Sequence, residues 1–288
     1  MTDLDELLDL AATVARSAGE LLLDGLHRAR TSVRTKSSRT DMVTEMDLAS
    51  ESLIAAALHR ARPADAIVGE EGARQDGSSA VRWIVDPLDG TTNYLYGWPA
   101  FAVSIAAEVD ELTAVGVVHD PSHGETFAAL RGRGAWLSST GDGRGAPTDG
   151  GAAPASLGPG ATRLRVDTAP ALGDALIGTG FNYDAGLRSH QAEMLTHVLP
   201  VVRDVRRAGA AALDLCWIAA GRLDGFFEAG LQPWDWAAGA LVARESGAWV
   251  GDLEGGPPSG SMVLAGAPEL ADRLRALLLE AEAGSGRS

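Results

Sequence analysis

Two carboxylates stand three residues apart within residues 85–93, which read VDPLDGTTN. A short apolar run at residues 83–85 predicts a buried strand, and the proline fixes a turn after it. We therefore expect Asp86 and Asp89 to leave the strand end together and converge. Close carboxylates repel, and in an apolar site a shared proton or a bound cation relieves the repulsion. The amides from Gly90 onward would open a helix whose N-terminus attracts an anion, so the segment indicates metal-assisted chemistry on a phosphate.

The same segment is also compatible with a simple turn, because Asp, Pro and Gly are the commonest turn residues. Two further acidic segments favour a metal site. Residues 69–72 read GEEG and follow the apolar run 66–68, and Asp235 stands between two tryptophans at the start of an apolar helix. Asp235 could be a first-turn acid favoured by the helix dipole. However, a carboxylate in an apolar setting needs a partner, and no Lys or Arg follows it before Arg244.

Taken in order, these segments resemble the inositol monophosphatase family, within the wider group of magnesium-dependent, lithium-sensitive sugar phosphatases. The resemblance is carried by GEE at 69–71, DPLDGTTN at 86–93 and WDWAAG at 234–239. Supporting matches are Lys36, Asp41, Val43, Thr44, Asp47, the run GVV at 116–118 and the run GAAALD at 209–214. The segments follow the family's order and cover all but the extreme ends of the chain.

The resemblance implies the family's layered αβαβα sandwich, an α+β fold with the site at the junction of two halves. In the first half, strand patterns at 83–85, 101–108, 113–119 and 125–130 predict an antiparallel sheet. Alternating strand and helix patterns in the second half predict an α/β arrangement. We expect a single domain over residues 1–288, with halves at about 1–137 and 163–288. The Gly-, Ala- and Pro-rich segment 138–162 is predicted to be a disordered loop between them.

The resemblance also implies a cofactor, two or three Mg²⁺ ions per site, and oxygen ligands are what Mg²⁺ prefers. Glu70, Asp86 and the carbonyl of Leu88 would hold the ion that activates water. Asp86, Asp89 and Asp235 would hold the ion that stabilises the leaving alkoxide. Attack would be in line, with no phosphoenzyme.

Further roles follow from the same resemblance. Thr91, with its hydroxyl near Glu70, would orient the attacking water with help from Asp47, although Asp47 is equally a candidate helix cap. Expected substrate contacts are Asp89, Gly90, Thr91, Thr92, Ala211, Glu228 and Asp235. Glu228 has an alternative interpretation as a solvated acid at a strand end. Lys36 falls in the segment that matches the family's mobile, site-covering loop.

Inositol 1-phosphate is the substrate that the resemblance favours. Fructose 1,6-bisphosphate, histidinol phosphate and nucleotide 3′-phosphates are the alternatives within the group. The pair Thr92-Asn93 favours inositol, because relatives acting on nucleotides and histidinol tend to have Lys there. Ala210 is a departure, since the family often has Ser or Thr after the glycine at 209, and a hydroxyl contact is lost.

Three other interpretations compete with this one. A haloacid-dehalogenase-type phosphatase needs an acid two residues after its nucleophilic aspartate, whereas the spacing here is three with Pro87 between. An EF-hand loop starting at Asp86 would need ligands at Leu88 and Gly90 and a Glu at Gly97. A catalytically silent family member would have lost a metal ligand, and all four expected acids are present.

Whole-chain properties limit the possible partners. The chain has 288 residues and a net charge of −15, which argues against nucleic acid or an anionic membrane as partner. A small phosphorylated metabolite is compatible with this charge when divalent cations invert the local field. Cys216 is the single cysteine, so no internal disulfide forms, as suits a reducing cytoplasm. With no secretory signal or bilayer-length apolar stretch, we expect a cytoplasmic protein, and a homodimer by resemblance.

Overall fold

Helices and sheets alternate in layers through the molecule. The computed structural model describes residues 2–26, 33–35, 42–139, 153–166 and 169–285. The helices are α1 (Leu4–Gly25), α2 (Glu45–Ala61), α3 (Thr91–Tyr96), α4 (Ala185–Val198), α5 (Ala211–Ala219), α6 (Pro233–Glu245) and α7 (Pro268–Ser285). The strands are β1 (Val33–Thr35), β2 (Met42–Thr44), β3 (Ala66–Gly69), β4 (Arg74–Gln75), β5 (Val81–Asp89), β6 (Ala102–Val109), β7 (Leu112–Asp120), β8 (Glu125–Leu130), β9 (Gly134–Ser139), β10 (Thr162–Arg163), β11 (Leu176–Thr179), β12 (Asp204–Arg206), β13 (Gly225–Glu228), β14 (Trp249–Gly251) and β15 (Val263–Gly266).

The larger sheet has the strand order β10-β9-β8-β7-β6-β5-β3-β4. Its pairs are antiparallel, as predicted, except that β3 and β5 are parallel. The exception arises because β4 reverses the chain at the edge of the sheet, and a second turn returns the chain as β5 on the other side of β3. The two-residue β4 carries too little pattern to be predicted.

The smaller sheet has the order β12-β11-β13-β15-β14. Strands β12, β11 and β13 are mutually parallel, whereas β15 runs antiparallel to both β13 and β14. Alternation of strand and helix in this half agrees with the predicted α/β arrangement.

The layer order explains where the apolar core lies. Helices α1 and α2 cover one face of the larger sheet, α5 and α6 fill the space between the sheets, and α4 and α7 cover the smaller sheet. Buried side chains such as Leu8 and Ala15 of α1 join Ile105 and Val117 of the larger sheet in one core cluster. This is the αβαβα sandwich expected from the sequence.

The predicted disordered loop at residues 138–162 is wrong at both of its ends. Ser138 lies in β9 and donates a hydrogen bond to the carbonyl of Leu157 at 2.6 Å. Strand β10 pairs with β9 and so extends the first sheet beyond residue 137. Leu157, whose side chain is buried against the core, is an isolated large apolar residue in a Gly-, Ala- and Pro-rich segment and therefore gives no pattern. Residues 140–152 lie outside the described part of the chain.

Helix α6 lies directly on strand β7 at Gly116. A Cβ atom there would stand 2.7 Å from the carbonyl oxygen of Ala238, well inside contact distance. We expect Gly116→Ala to lower the free energy of unfolding by about 1–3 kcal/mol, because backbone must move to admit the methyl group. Urea denaturation measures this change. Gly160→Ala is the control, since a Cβ at Gly160 meets nothing within 4 Å. Equal stability of the two variants would contradict this packing.

Candidate active site

The two acids at 86 and 89 lie within β5, on either side of an irregularity. The strand was predicted to end at residue 85 but runs to Asp89, and its register against β6 shifts between Asp86 and Asp89. Pro87 has no N–H to donate to a sheet ladder, so the strand bulges at this point. The bulge, rather than a strand end, brings both carboxylates to the same region.

A cavity of about 590 Å³ opens at this bulge. From the first half of the chain, its walls are Glu70, Asp86, Leu88, Asp89, Gly90 and Thr91. From the second half come residues 181–184, Arg207, Gly209, Ala211, residues 228–232, Trp234 and Asp235. The cavity therefore lies where the two halves of the chain meet, as expected.

Electrostatic repulsion dominates the inner end of the cavity. Burial raises the pKa of Asp86 well above its ordinary value, and the neighbouring carboxylates of Glu70, Asp89 and Asp235 raise it further. One oxygen of Asp86 accepts the N–H of Leu88 at 3.0 Å. Burial and Asp235 likewise raise the pKa of Asp89. Two buried carboxylates whose ionisation is disfavoured by burial and by neighbouring acids form a site that a cation would stabilise.

Asp89 also supplies the helix cap that Ala210 cannot. Ala210 is the N-cap residue of α5 and has no side-chain oxygen. Instead, Asp89 accepts the N–H of Ala212 at 2.8 Å, which is the bond that a capping serine or threonine would make. Asp89 thus replaces the capping hydrogen bond that a hydroxyl at position 210 would make. It does not replace a hydroxyl contact to substrate.

Asp235 combines a capping role with a place in the cavity wall. It is the third residue of α6 and accepts the N–H of Gln232 at 2.6 Å. The interpretation of Asp235 as an acid in the first turn of a helix is therefore correct. Asp235 nonetheless lines the cavity and is close enough to raise the pKa of both Asp86 and Asp89.

The hydroxyl of Thr91 is hydrogen-bonded to Asp47, a fully buried acid. It lies 2.9 Å from Asp47 Oδ1 and 3.2 Å from the carbonyl of Leu88. Asp47 also accepts the N–H of Thr44 at 2.9 Å, completing a capping box at the start of α2. A threonine hydroxyl has one proton and two lone pairs. When its proton goes to Asp47, Thr91 offers a lone pair to a water molecule in the cavity.

Glu228 forms part of the outer wall and is packed against Gly180. A Cβ at Gly180 would lie 2.0 Å from Glu228 Oε2, so the carboxylate stands directly against the glycine and would have to move to admit a side chain there. Burial raises the pKa of Glu228 to about 8, with Arg207 opposing the shift and Asp235 adding to it. Near neutral pH the group is mostly protonated, so it can both donate and accept a hydrogen bond.

Asn93 ties the two halves of the chain together beside the cavity. Its amide nitrogen donates to the carbonyls of Ala100 at 2.6 Å and Ala208 at 2.8 Å. Gly90, the N-cap of α3, has φ +89°, and a Cβ there would stand 2.8 Å from the carbonyl of Ala100. Glycine is therefore required at this helix start.

Most of the predicted site residues thus line one cavity: Glu70, Asp86, Leu88, Asp89, Gly90, Thr91, Ala211, Glu228 and Asp235. Asp47 lies behind the wall, and Thr92 is not among the lining residues. Lys36 lies outside the described residues. Three further parts of the cavity wall were not predicted from the sequence: Arg207, Gln232 and the segment 181–184. The polar residues Asn182 and Asp184 follow β11, and polar residues after a strand were the available signal for that segment.

The donor types in the cavity fit Mg²⁺, which prefers carboxylate and carbonyl oxygens. As the side chains stand, no three His, Cys, Asp or Glu groups within the described residues are arranged to hold a metal ion. Asp86, Asp89 and Asp235 each direct one oxygen to a backbone N–H. The match to Mg²⁺ therefore rests on the oxygen donors and on the repulsion between the carboxylates, and not on a preformed coordination geometry.

Comparison with known proteins identifies the family. The model of the inositol monophosphatase family matches residues 3–283. The chain belongs to the inositol monophosphatase family. It is 46% identical over 254 residues to inositol-1-monophosphatase SuhB of Mycobacterium tuberculosis, covering 85% of this chain and 81% of that protein. It is 42% identical over 259 residues to a Pseudomonas aeruginosa protein named Nus factor SuhB, covering 86% of each.

A solved structure of the extragenic suppressor protein SuhB from Bartonella henselae has the same fold. The TM-score is 0.83 at 36% identity, and the match covers 95% of this chain and 98% of that one. The family and the layered fold expected from the sequence are thereby confirmed, and the chain is a phosphatase of this family. No helix in the described ranges has the length and apolar character needed to cross a membrane.

Proposed function

We propose that this inositol monophosphatase family member is a Mg²⁺-dependent hydrolase of a small polyol phosphate monoester, with inositol 1-phosphate as its preferred substrate. The observation that carries the proposal is the meeting of Glu70, Asp86, Asp89 and Asp235 on one cavity. Phosphate monoesters hydrolyse very slowly without help, and an acidic cluster alone would repel the dianion.

Two or three Mg²⁺ ions would supply the missing positive charge and an acidified water. Glu70, Asp86 and the Leu88 carbonyl are the proposed ligands at the water side. Asp86, Asp89 and Asp235 are the proposed ligands at the leaving-group side.

Thr91 and Asp47 are proposed to orient the attacking water. The Thr91 hydroxyl donates to Asp47 and accepts from water, so that a lone pair of the water points along the line of attack. The amides of Gly90 and Thr91, and of the neighbouring Thr92, would bind the phosphate oxygens at the start of α3. One displacement transfers the phosphoryl group to water, and no side chain is phosphorylated.

The polyol is proposed to lie against the outer part of the cavity. Glu228, Asp89 and Asp235 offer hydrogen bonds to ring hydroxyls, and Ala211 offers an apolar contact. Glu228 is well suited because its raised pKa, about 8, lets it donate as well as accept. Arg207 and Asn182 also line the cavity.

A substrate panel tests the proposal. Initial rates should be measured on inositol 1-phosphate, fructose 1,6-bisphosphate, histidinol phosphate and adenosine bisphosphate, at equal concentrations, with Mg²⁺ and with EDTA. We expect the highest kcat/KM for inositol 1-phosphate and no turnover of any substrate in EDTA. A higher kcat/KM for another panel member would reassign the substrate, and turnover in EDTA would contradict the Mg²⁺ requirement.

Lithium at millimolar concentration is expected to inhibit the enzyme. A small monovalent cation at the leaving-group side would supply too little charge to stabilise the alkoxide. Inhibition should be measured with potassium chloride at the same ionic strength as the control. Weaker inhibition at higher Mg²⁺ would indicate competition before turnover, and persistent inhibition would indicate trapping of the product complex. Undiminished activity far above millimolar lithium would contradict the proposal.

We also propose that the protein acts as a cytoplasmic homodimer. The basis is the family resemblance together with a single, buried Cys216, which suits a reducing compartment. Light scattering during size-exclusion chromatography tests the oligomeric state. A mass near that of one chain, 29.8 kDa, would contradict the dimer.

A further inference from the structure

Helix α2 presents polar side chains where a packed helix normally buries apolar ones. Asp47, Ser50 and Glu51 are all buried, at relative exposures of 0%, 0% and 6%. Their spacing of i, i+3 and i+4 places them on one face. Farther along the same face, Ile54 and Leu58 are buried and apolar, as expected of a core-facing helix. The N-terminal half of this face therefore makes polar contacts, whereas the C-terminal half packs into the apolar core.

Each of the three polar side chains binds a different segment that carries a site residue. Asp47 accepts from Thr91 at the start of α3. The hydroxyl of Ser50 donates to the carbonyl of Pro87 at 2.8 Å, in the middle of the β5 bulge. The bulge is the feature that turns Asp86 and Asp89 into the cavity.

Glu51 holds the turn that carries Glu70. Its two carboxylate oxygens accept the N–H of Glu71 at 2.8 Å and the N–H of Ala73 at 2.9 Å. The fit is close, since a Cβ at Gly69 would stand 2.1 Å from Glu51 Oε1. Burying a carboxylate is costly unless it is hydrogen-bonded. Loss of either hydrogen bond from the buried Glu51 carboxylate would therefore be unfavourable, and the two bonds fix the turn.

We propose that Ser50 and Glu51 are positioning residues that fix the Pro87 bulge and the Glu70 turn on one rigid helix. The helix thereby sets the separation between Glu70 and Asp86, two residues that the proposed Mg²⁺ site requires together. Groups that orient metal ligands in this way typically contribute about 10-fold to 100-fold in metal affinity. The inference rests on the proposed function, because it needs Mg²⁺ as the ligand of the site.

Calorimetric titration of Mg²⁺ into EDTA-treated, dialysed protein tests the inference without relying on activity. Glu51→Gln keeps the size of the side chain but offers an amide nitrogen to one of the two N–H donors. We expect its Mg²⁺ dissociation constant to rise about 10-fold or more, and that of Ser50→Ala to rise several-fold. The Mg²⁺ concentration for half-maximal rate should rise in parallel, while KM at saturating Mg²⁺ stays near that of the wild type.

Matched controls lie on the exposed face of the same helix. Glu45→Gln and Ser52→Ala change exposed residues of the same types and should bind Mg²⁺ as the wild type does. A lower unfolding temperature of Glu51→Gln or Ser50→Ala with unchanged Mg²⁺ affinity would overturn the inference and leave only a structural role. If Glu51→Gln does not fold, the Mg²⁺ affinity of Ser50→Ala decides between the two roles. A wild-type protein that binds no Mg²⁺ would instead contradict the proposed function.

Discussion

Asp86→Asn is expected to reduce turnover by three orders of magnitude or more. Asp86 is proposed to serve both sides of the Mg²⁺ site, and its carboxylate faces three other acids. Removing its charge leaves the shape of the side chain nearly unchanged but weakens charge stabilisation of the transition state by several kcal/mol. Since about 1.4 kcal/mol corresponds to a factor of ten, the loss amounts to on the order of 10³-fold.

The same substitution is expected to stabilise the metal-free protein. The pKa of Asp86 is raised in the folded state by burial and by neighbouring carboxylates. A group with a raised folded pKa favours folding below its unfolded pKa, and this contribution is lost as pH rises through the folded pKa. Metal-free Asp86→Asn should therefore unfold at a higher temperature than metal-free wild type near neutral pH, with the difference shrinking in acid.

Steady-state kinetics at saturating Mg²⁺ and thermal denaturation in EDTA measure the two effects. Asp76→Asn, at an exposed position in the same half, is the control and should change neither. Turnover near that of the wild type in Asp86→Asn would show that this carboxylate is not a metal ligand. Unchanged stability in EDTA would show that the acids do not repel one another as the structure implies.

Thr91→Ala is expected to lower kcat about 100-fold or more with little change in KM. The hydroxyl donates to Asp47, and it is proposed to orient the attacking water and not to bind the polyol. Groups that orient or accept a proton in the transition state typically contribute about 10²- to 10⁴-fold to the rate. An interaction made only in the transition state lowers kcat and kcat/KM together.

Thr91→Ser is the matched variant, because it keeps the hydroxyl and loses only a methyl group. It should retain most of the wild-type kcat, whereas Thr91→Ala should not. Initial rates over a range of substrate concentrations separate the two parameters. A Thr91→Ala enzyme with normal kcat and raised KM would make Thr91 a substrate contact instead.

The sequence was sufficient for those features that depend on local chemistry. Strand β8 was predicted at the correct residues, 125–130, because an apolar run there is bounded by turns and charges. The family motifs assigned Glu70, Asp86, Asp89 and Asp235 to one metal site, and the four residues line one cavity. These residues adjoin strands and helices with clear apolar patterns, so their approximate positions follow once those strands and helices are placed.

Features that depend on distant contacts could not be predicted. The sequence does not show that Asp89 caps α5, since the partner amide is 123 residues away. The resemblance implied that Asp47 assists Thr91, but the sequence does not show that the Thr91 hydroxyl lies 2.9 Å from Asp47 Oδ1 and 3.2 Å from the Leu88 carbonyl oxygen. The bulge in β5 depends on pairing with β6, and one strand alone does not determine its register.

The carboxylates of the cavity are proposed to act as ligands and orienting groups, and not as nucleophiles. The stereochemical course at phosphorus tests this directly, with a chiral, isotopically labelled phosphate ester as substrate. A single displacement by water inverts the configuration, and this is the result that we expect. Retention of configuration, or label recovered on an aspartate after quenching, would show a double displacement through Asp86 or Asp89 and contradict the account.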